Sequence, residues 1–94
     1  MNSISRPRLI DSHAHLDFDR FDKDRDAVIA RAQEMGVEHI ITIGTDIASS
    51  KRAMALASQY EIIFASAGIH PHQADEFEDQ HWPDLEAMWR DEKV

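Results

Sequence analysis

The sequence predicts an α/β fold built on a parallel sheet. Three short apolar-rich segments alternate with segments of helical character, which gives the order βαβαβα. Such alternation requires crossover connections, which are almost always right-handed, between parallel strands. The order by itself fits either a doubly wound sheet or part of a barrel. The length of 94 residues suits one domain and leaves no room for a second core.

The first strand and the first helix are predicted in the N-terminal third of the chain. Residues 8–16 are predicted to be a strand, and residues 22–35 are predicted to be a helix because acidic residues occupy the first turn. Gly36 stands where that helix should stop. Residues 1–7 lack the apolar core of a secretory signal and are expected to be a flexible N-terminus.

The second and third units follow the same pattern. Residues 37–44 are rich in β-branched residues and almost wholly apolar at their end, as expected for a parallel strand covered on both faces, and residues 62–68 are predicted to be the third strand. Ser49 or Ser50 is predicted to cap the helix between them. A last short helix is predicted over residues 83–91, with proline in its first turn.

The composition limits the classes of function. Asp and Glu number 18 against 10 Lys and Arg, a formal net charge of -8, so any contact with nucleic acid must be local. Cysteine is absent, which excludes disulfides and thiolate metal ligands. The apolar runs are far shorter than the roughly 20 residues that cross a bilayer. We therefore expect no membrane contact and a cytoplasmic location.

A pair of histidines marks the end of the first predicted strand. His13 and His15 are two residues apart, so their side chains leave the same face of an extended segment and can converge on one ion. Active sites of α/β folds lie at this end of the strands. The alternative interpretation is that both rings simply face solvent. Asp11 and Asp17 stand close enough in sequence to orient the imidazoles by hydrogen bonds.

Other histidines follow at later positions. His70 comes after the third strand, so we expect it at the same rim of the sheet, converging with the first two histidines; a loop histidine bonded to backbone is the alternative. His72 lies beyond Pro71 and is better interpreted as an ordinary loop residue. His39 and His81 have no partner pattern and are interpreted as structural or exposed.

These residues resemble the start of TatD-type deoxyribonucleases. The similarity is carried by Ile10-Asp11-Ser12-His13-Ala14-His15-Leu16-Asp17 and, after two βα units, by Gly68-Ile69-His70-Pro71-His72. Ile43-Gly44-Thr45 and Tyr60 also fit that pattern. The resemblance extends from about Leu9 to Val94.

The resemblance implies the first three βα units of a (β/α)8 TIM barrel of the metal-dependent hydrolase superfamily, with residues 1–94 as the N-terminal part of one domain. It implies hydrolysis of phosphodiester bonds in DNA with two divalent ions, Mg, Mn or Zn. His13 and His15 match the first two metal ligands, and His70 matches an element beside the site, with a role either near the substrate phosphate or among the groups that orient the metal ligands. The family's later ligands have no counterpart in these 94 residues.

The length then predicts an incomplete barrel, since a whole one takes about 250 residues. The third strand is expected to present an unpaired edge, so that the polypeptide is marginally stable or self-associates through this edge. Independent catalysis is not expected, because a catalytic zinc site normally takes three protein ligands.

Two alternatives remain open at this stage. Other metal-dependent hydrolases and phosphoesterases also begin with a His-x-His strand and act on amides, esters or phosphate monoesters. The chain could also be a non-catalytic α/β fragment that binds a partner.

Overall fold

The computed structural model describes residues 7–94 of the chain. The predicted flexible N-terminus, residues 1–7, lies outside the described residues except for Pro7. The predicted order βαβαβα is confirmed, with 3-10 turns in the loops at Asp19–Phe21, Pro71–Glu76 and Asp79–His81. The main elements are β1 (Leu9–Ala14), α1 (Arg25–Glu34), β2 (Val37–Ile43), α2 (Ile47–Gln59), β3 (Ile63–Ser66) and α3 (Trp82–Trp89).

The strands form one open parallel sheet in the order β1-β2-β3. Its register pairs Ala14 with Thr42 and Thr42 with Ala65. The carboxyl ends of all the strands therefore meet at one edge, as they must in a parallel sheet with crossovers. We call this edge the C-terminal rim, and it consists of residues 15–18, 44–46 and 67–70.

The hydrophobic core lies on one face of the sheet. Ile40 of β2 and Ile63 of β3 are buried in one cluster with residues from both α1 and α2. The neighbouring strand residues Ile41 and Ile43 point to the opposite face and are only half-buried. Helices α1 and α2 thus cover the same face, an arrangement found both in part of a barrel and in one half of a doubly wound sheet. The core cluster consists of Leu16, Ile29, Ile40, Ala53, Leu56, Ala57, Ile63 and Ala65.

Helix α1 begins later than the predicted Asp22 because a compact turn precedes it. The Arg25 guanidinium donates to the carbonyl oxygens of Leu16 at 2.6 Å and Phe18 at 2.9 Å. The start of α1 is thereby fastened to the loop that follows β1. The helix ends as predicted, because Gly36 adopts a φ of 99°, which glycine tolerates better than other residues.

The prediction that Ser49 or Ser50 caps α2 is wrong. Asp46 is the N-cap: its carboxylate accepts the Ser49 N–H at 2.7 Å, and the Ser49 hydroxyl accepts the Asp46 N–H at 3.0 Å. This reciprocal pair is a capping box, which moves the helix start three residues towards the strand. Both serines are buried inside the first helical turns.

The last residues of the chain cover part of the β3 edge. The Ala65 N–H donates to the Lys93 carbonyl oxygen at 2.8 Å, so the predicted unpaired edge is in fact paired at this position. The Lys93 ammonium donates to the carbonyl oxygens of Ala57 at 2.9 Å and Tyr60 at 3.3 Å. It therefore closes the carboxyl end of α2. Within residues 7–94, no helix combines the length and apolarity needed to cross a membrane.

Candidate active site

The structure brings the rings of His13 and His15 together at the C-terminal rim. His13 is the penultimate residue of β1, and His15 follows directly after the strand. Their ring centroids are 5.1 Å apart, with the planes inclined by 80°. The His15 ring stacks on Phe18 at 4.9 Å and is half-buried, whereas His13 is exposed. Two imidazoles this close can each coordinate the same metal ion through a ring nitrogen.

A buried nitrogen of the His15 ring bears on whether the two histidines could bind a metal ion. The Nδ1 of His15 is buried and has no hydrogen-bond partner in the described part of the chain, an arrangement that costs free energy unless a further group binds the ring. Imidazole nitrogen is an appropriate ligand for a divalent ion such as zinc. Among the described residues, however, no group of three or more histidine or acidic side chains is placed to hold an ion. The pair therefore fits as two members of a ligand set.

Asp11 contacts the backbone of the histidine pair. Its Oδ1 accepts the His13 N–H at 3.0 Å, whereas the sequence predicted a bond to an imidazole. A short carboxylate readily reaches the N–H group two residues ahead, and this bond competes with the strand ladder. The β1–β2 register is irregular between Asp11 and Ala14, where the bond forms. Asp11 thus shapes the strand at His13.

Asp17 is a buried carboxylate without hydrogen bonds. The side chain has 0% exposure, and neither oxygen has a hydrogen-bond partner among residues 7–94. It forms an ion pair with Arg52 of α2, at 3.6 Å from guanidinium nitrogen to carboxylate oxygen. Removing a charge from water is costly unless an opposite charge lies near, so this pair binds the turn after His15 to α2.

His70 lies at the rim, tied to the end of β2. Its backbone N–H donates to the Thr45 carbonyl oxygen at 2.7 Å. Its Nδ1 accepts the His72 N–H at 3.1 Å, so the neutral ring carries its proton on Nε2 and can donate from there. His70 does not join His13 and His15 in a group that could hold one ion. Instead, it pairs with the His72 ring at 4.7 Å.

The remaining histidines agree with their interpretation as structural or exposed residues. The Nδ1 of His81 accepts the Glu78 N–H at 2.9 Å in a capping box before α3. His39 is exposed, and its ring lies edge-on to Phe64 at 5.6 Å.

Sequence reasoning missed two residues of α2 that contact the rim. The Ser50 hydroxyl accepts a hydrogen bond from the Gly68 N–H, and Arg52 forms an ion pair with Asp17. A signal for Ser50 was present, because it shares the helical face of Ala53 and Ala57, which is the buried face. A polar residue on a buried helical face needs a hydrogen-bond partner, and the first turn of α2 places that partner at the rim.

Comparison with known protein families gives one family match. The model of the family described as "TatD related DNase" matches residues 10–94. The match runs from Ile10, the second residue of β1, through the end of α3.

The individual proteins to which the chain is similar agree with this family match. The 3'-5' ssDNA/RNA exonuclease TatD of Cronobacter sakazakii is 36% identical over 80 residues, which make up 85% of this chain and 30% of that protein. The uncharacterized metal-dependent hydrolase YabD of Bacillus subtilis is 35% identical over 92% of this chain and 34% of its own length. The uncharacterized metal-dependent hydrolase YjjV of Escherichia coli is 38% identical, covering 77% of this chain and 28% of its own. The chain thus spans about a third of the length of these relatives.

Proposed function

Because this chain belongs to the TatD-related DNase family, we propose that the protein containing it is a metal-dependent hydrolase that cleaves phosphodiester bonds in DNA. The observation that carries the proposal is the pair of imidazoles 5.1 Å apart at the C-terminal rim, within the segment that matches the family. Relatives named as 3'-5' ssDNA/RNA exonucleases support single-stranded nucleic acid as the substrate class.

His13 and His15 are the proposed ligands of a divalent ion, Mg, Mn or Zn, with a second ion in the complete site. A bound divalent ion supplies Lewis acidity at a phosphoryl oxygen and a lowered pKa of its bound water. The chain's own contribution is to hold two imidazoles at the rim, with the His15 ring fixed in orientation by stacking on Phe18. Further ligands are required, since the described residues contain no group of three.

Asp11 and Asp17 are proposed to orient the two imidazoles through the backbone. Asp11 accepts a hydrogen bond from the His13 N–H. Asp17 lies in the turn after His15 and holds this turn against α2 through its ion pair with Arg52. Groups that bond a ligating imidazole directly typically change metal affinity or activity by about 10–100-fold when they are removed, and Asp11 and Asp17 act one step further from the rings.

His70 is proposed to contact the substrate. Its Nδ1 is occupied by the His72 N–H, so its Nε2–H points away from that bond and can donate to a phosphate oxygen. A donor of this type adds local attraction for a phosphate on a chain whose formal net charge is -8. We also propose that the three βα units form part of a (β/α)8 barrel.

The test compares His13→Ala and His15→Ala with His39→Ala in the protein that contains this chain. His39 is exposed on β2, outside the rim, and serves as the matched control. We expect the first two variants to lose bound metal and most cleavage of a labelled single-stranded DNA oligonucleotide in manganese or magnesium, whereas His39→Ala keeps both. Full metal content and full cleavage in His13→Ala would refute the ligand assignment.

The same preparation separates the related hydrolase classes. Parallel assays use the oligonucleotide, a nitrophenyl phosphate monoester and a cyclic amide. Cleavage of the oligonucleotide alone supports the nuclease, and turnover of the amide alone would assign the chain to a different metal-dependent hydrolase.

A further inference from the structure

The loop that carries His70 is held by the start of α2 and by the end of β2. The Ser50 hydroxyl accepts the Gly68 N–H at 3.2 Å and makes a long bond of 3.4 Å to the Gly68 carbonyl oxygen. Two residues further on, the His70 N–H donates to the Thr45 carbonyl oxygen at 2.7 Å. Residues 68–70 are therefore anchored at both ends to the preceding βα unit.

The Ser50 hydroxyl forms hydrogen bonds with the Gly68 backbone rather than with a carbonyl of its own helix. Serines inside helices usually return their hydroxyl to a carbonyl of the preceding turn, as Ser58 does with the Ala55 carbonyl at 2.8 Å. The Ser50 side chain is fully buried, and its hydroxyl bonds a residue 18 positions further along the chain. Burying a hydroxyl costs free energy unless the hydroxyl is hydrogen-bonded. A serine at this position is therefore best explained by its hydrogen bond to the loop at Gly68.

The end of β2 leaves space for this hydroxyl. A Cβ atom on Gly44 would lie 2.3 Å from the Ser50 Oγ and 2.8 Å from the Ser66 carbonyl oxygen. Only glycine at position 44 lets α2 approach the ends of β2 and β3 so closely. The contact between Ser50 and Gly68 therefore also depends on Gly44, which has no side chain to block it.

We infer that Ser50 is a positioning residue for His70, acting through the backbone of Gly68. The inference rests on the proposed function, which places His70 at a substrate phosphate. The Ser50 hydroxyl fixes one end of the loop and the Thr45 carbonyl fixes the other. The His72 N–H then fixes the ring, which leaves Nε2 directed to a defined point of the rim. Misplacement of a substrate-binding group by about 1 Å can cost about 100-fold in rate.

The test is Ser50→Ala against Ser58→Ala in the protein that contains this chain. Both changes remove one serine hydroxyl from α2, but only the first releases the loop. We expect faster hydrogen exchange at the Gly68 amide and altered ring nitrogen signals of His70 in Ser50→Ala. We also expect a kcat on single-stranded DNA at least about 10-fold lower, with a smaller change in KM. Ser58→Ala should match the parent protein in all of these measurements.

Unchanged Gly68 exchange and unchanged His70 ring signals in Ser50→Ala would overturn the inference. If both signals move while neither Ser50→Ala nor His70→Ala alters cleavage, the positioning role stands and the substrate role of His70 falls. If Ser50→Ala does not fold, Ser50→Cys keeps a weaker hydrogen-bonding group. Intermediate exchange at Gly68 would then support the inference, and exchange at the parent rate would refute it.

Discussion

At the scale of single residues, the rim depends on how closely α2 approaches the ends of two strands. Gly44 and Gly68 both follow strands, yet their surroundings are opposite. A Cβ on Gly44 would lie 2.6 Å from the Ser50 Cα, whereas a Cβ on Gly68 would meet no atom within 4 Å. The distinction is steric, because Gly36 is the glycine with positive φ.

Gly44→Ala is therefore predicted to destabilise the fold. Two of its three nearest contacts are backbone atoms, which cannot move aside as the tip of a side chain can. Forcing a methyl group into such a site costs about 1–3 kcal/mol or more. Denaturant unfolding of the protein that contains this chain measures the loss, and Gly68→Ala is the control, for which we expect a much smaller change. Equal stability of the two variants would contradict the packing described here.

At the scale of elements, α2 is fixed at both ends by specific groups. Asp46 begins the helix through its capping box, and Lys93 closes it from the far end of the chain. Hydrogen bonding, chiefly from the backbone N–H of Ser49, holds the pKa of Asp46 below its ordinary value of 3.8. A carboxyl whose pKa is lower in the folded state contributes stability above its unfolded pKa and loses it as the pH falls through the folded one.

The stability supplied by Asp46 should therefore disappear in acid. At neutral pH, we expect Asp46→Ala to cost about 1 kcal/mol, the usual value of an N-cap. The difference between parent and variant should shrink as the pH falls below 3.8. Asp24→Ala is the control, because Asp24 is the N-cap of α1 but makes no side-chain capping bond. Thermal unfolding across this pH range measures the stability of both variants. If the stability difference between the parent and Asp46→Ala grows in acid, the capping role of the Asp46 carboxylate is contradicted.

At the scale of the whole molecule, the described sheet is covered by helices on one face. The strand residues of the other face, Ile41 and Ile43 among them, are half-buried, and on β1 Leu9 and Ile10 are 45% and 65% exposed. Lys93 pairs one position on the β3 edge, whereas β1 forms the other edge of the described sheet. An open sheet with exposed apolar side chains and an open edge is a template for association.

The 94-residue polypeptide by itself is accordingly predicted to self-associate. Sedimentation at two concentrations about ten-fold apart should show a larger mean mass in the more concentrated sample. Ile10→Lys, which places a charge on the open edge strand, should reduce this association, because charged side chains discourage edge-to-edge pairing. A monomer at both concentrations with cooperative, reversible unfolding would show that the sheet is adequately covered.

Local patterns in the sequence determined the order of elements, the end of α1 at Gly36 and the place of the paired histidines at a strand end. These features depend on short-range properties: β-branched runs, helical periodicity, glycine at a helix end and the alternation of a strand. The tertiary structure decided which groups meet across the chain. Asp17 pairs with Arg52, Ser50 bonds Gly68, and His70 is tied to Thr45 rather than grouped with His13 and His15. Contacts of this kind depend on how closely α2 packs against the strand ends, and no local pattern encodes that distance.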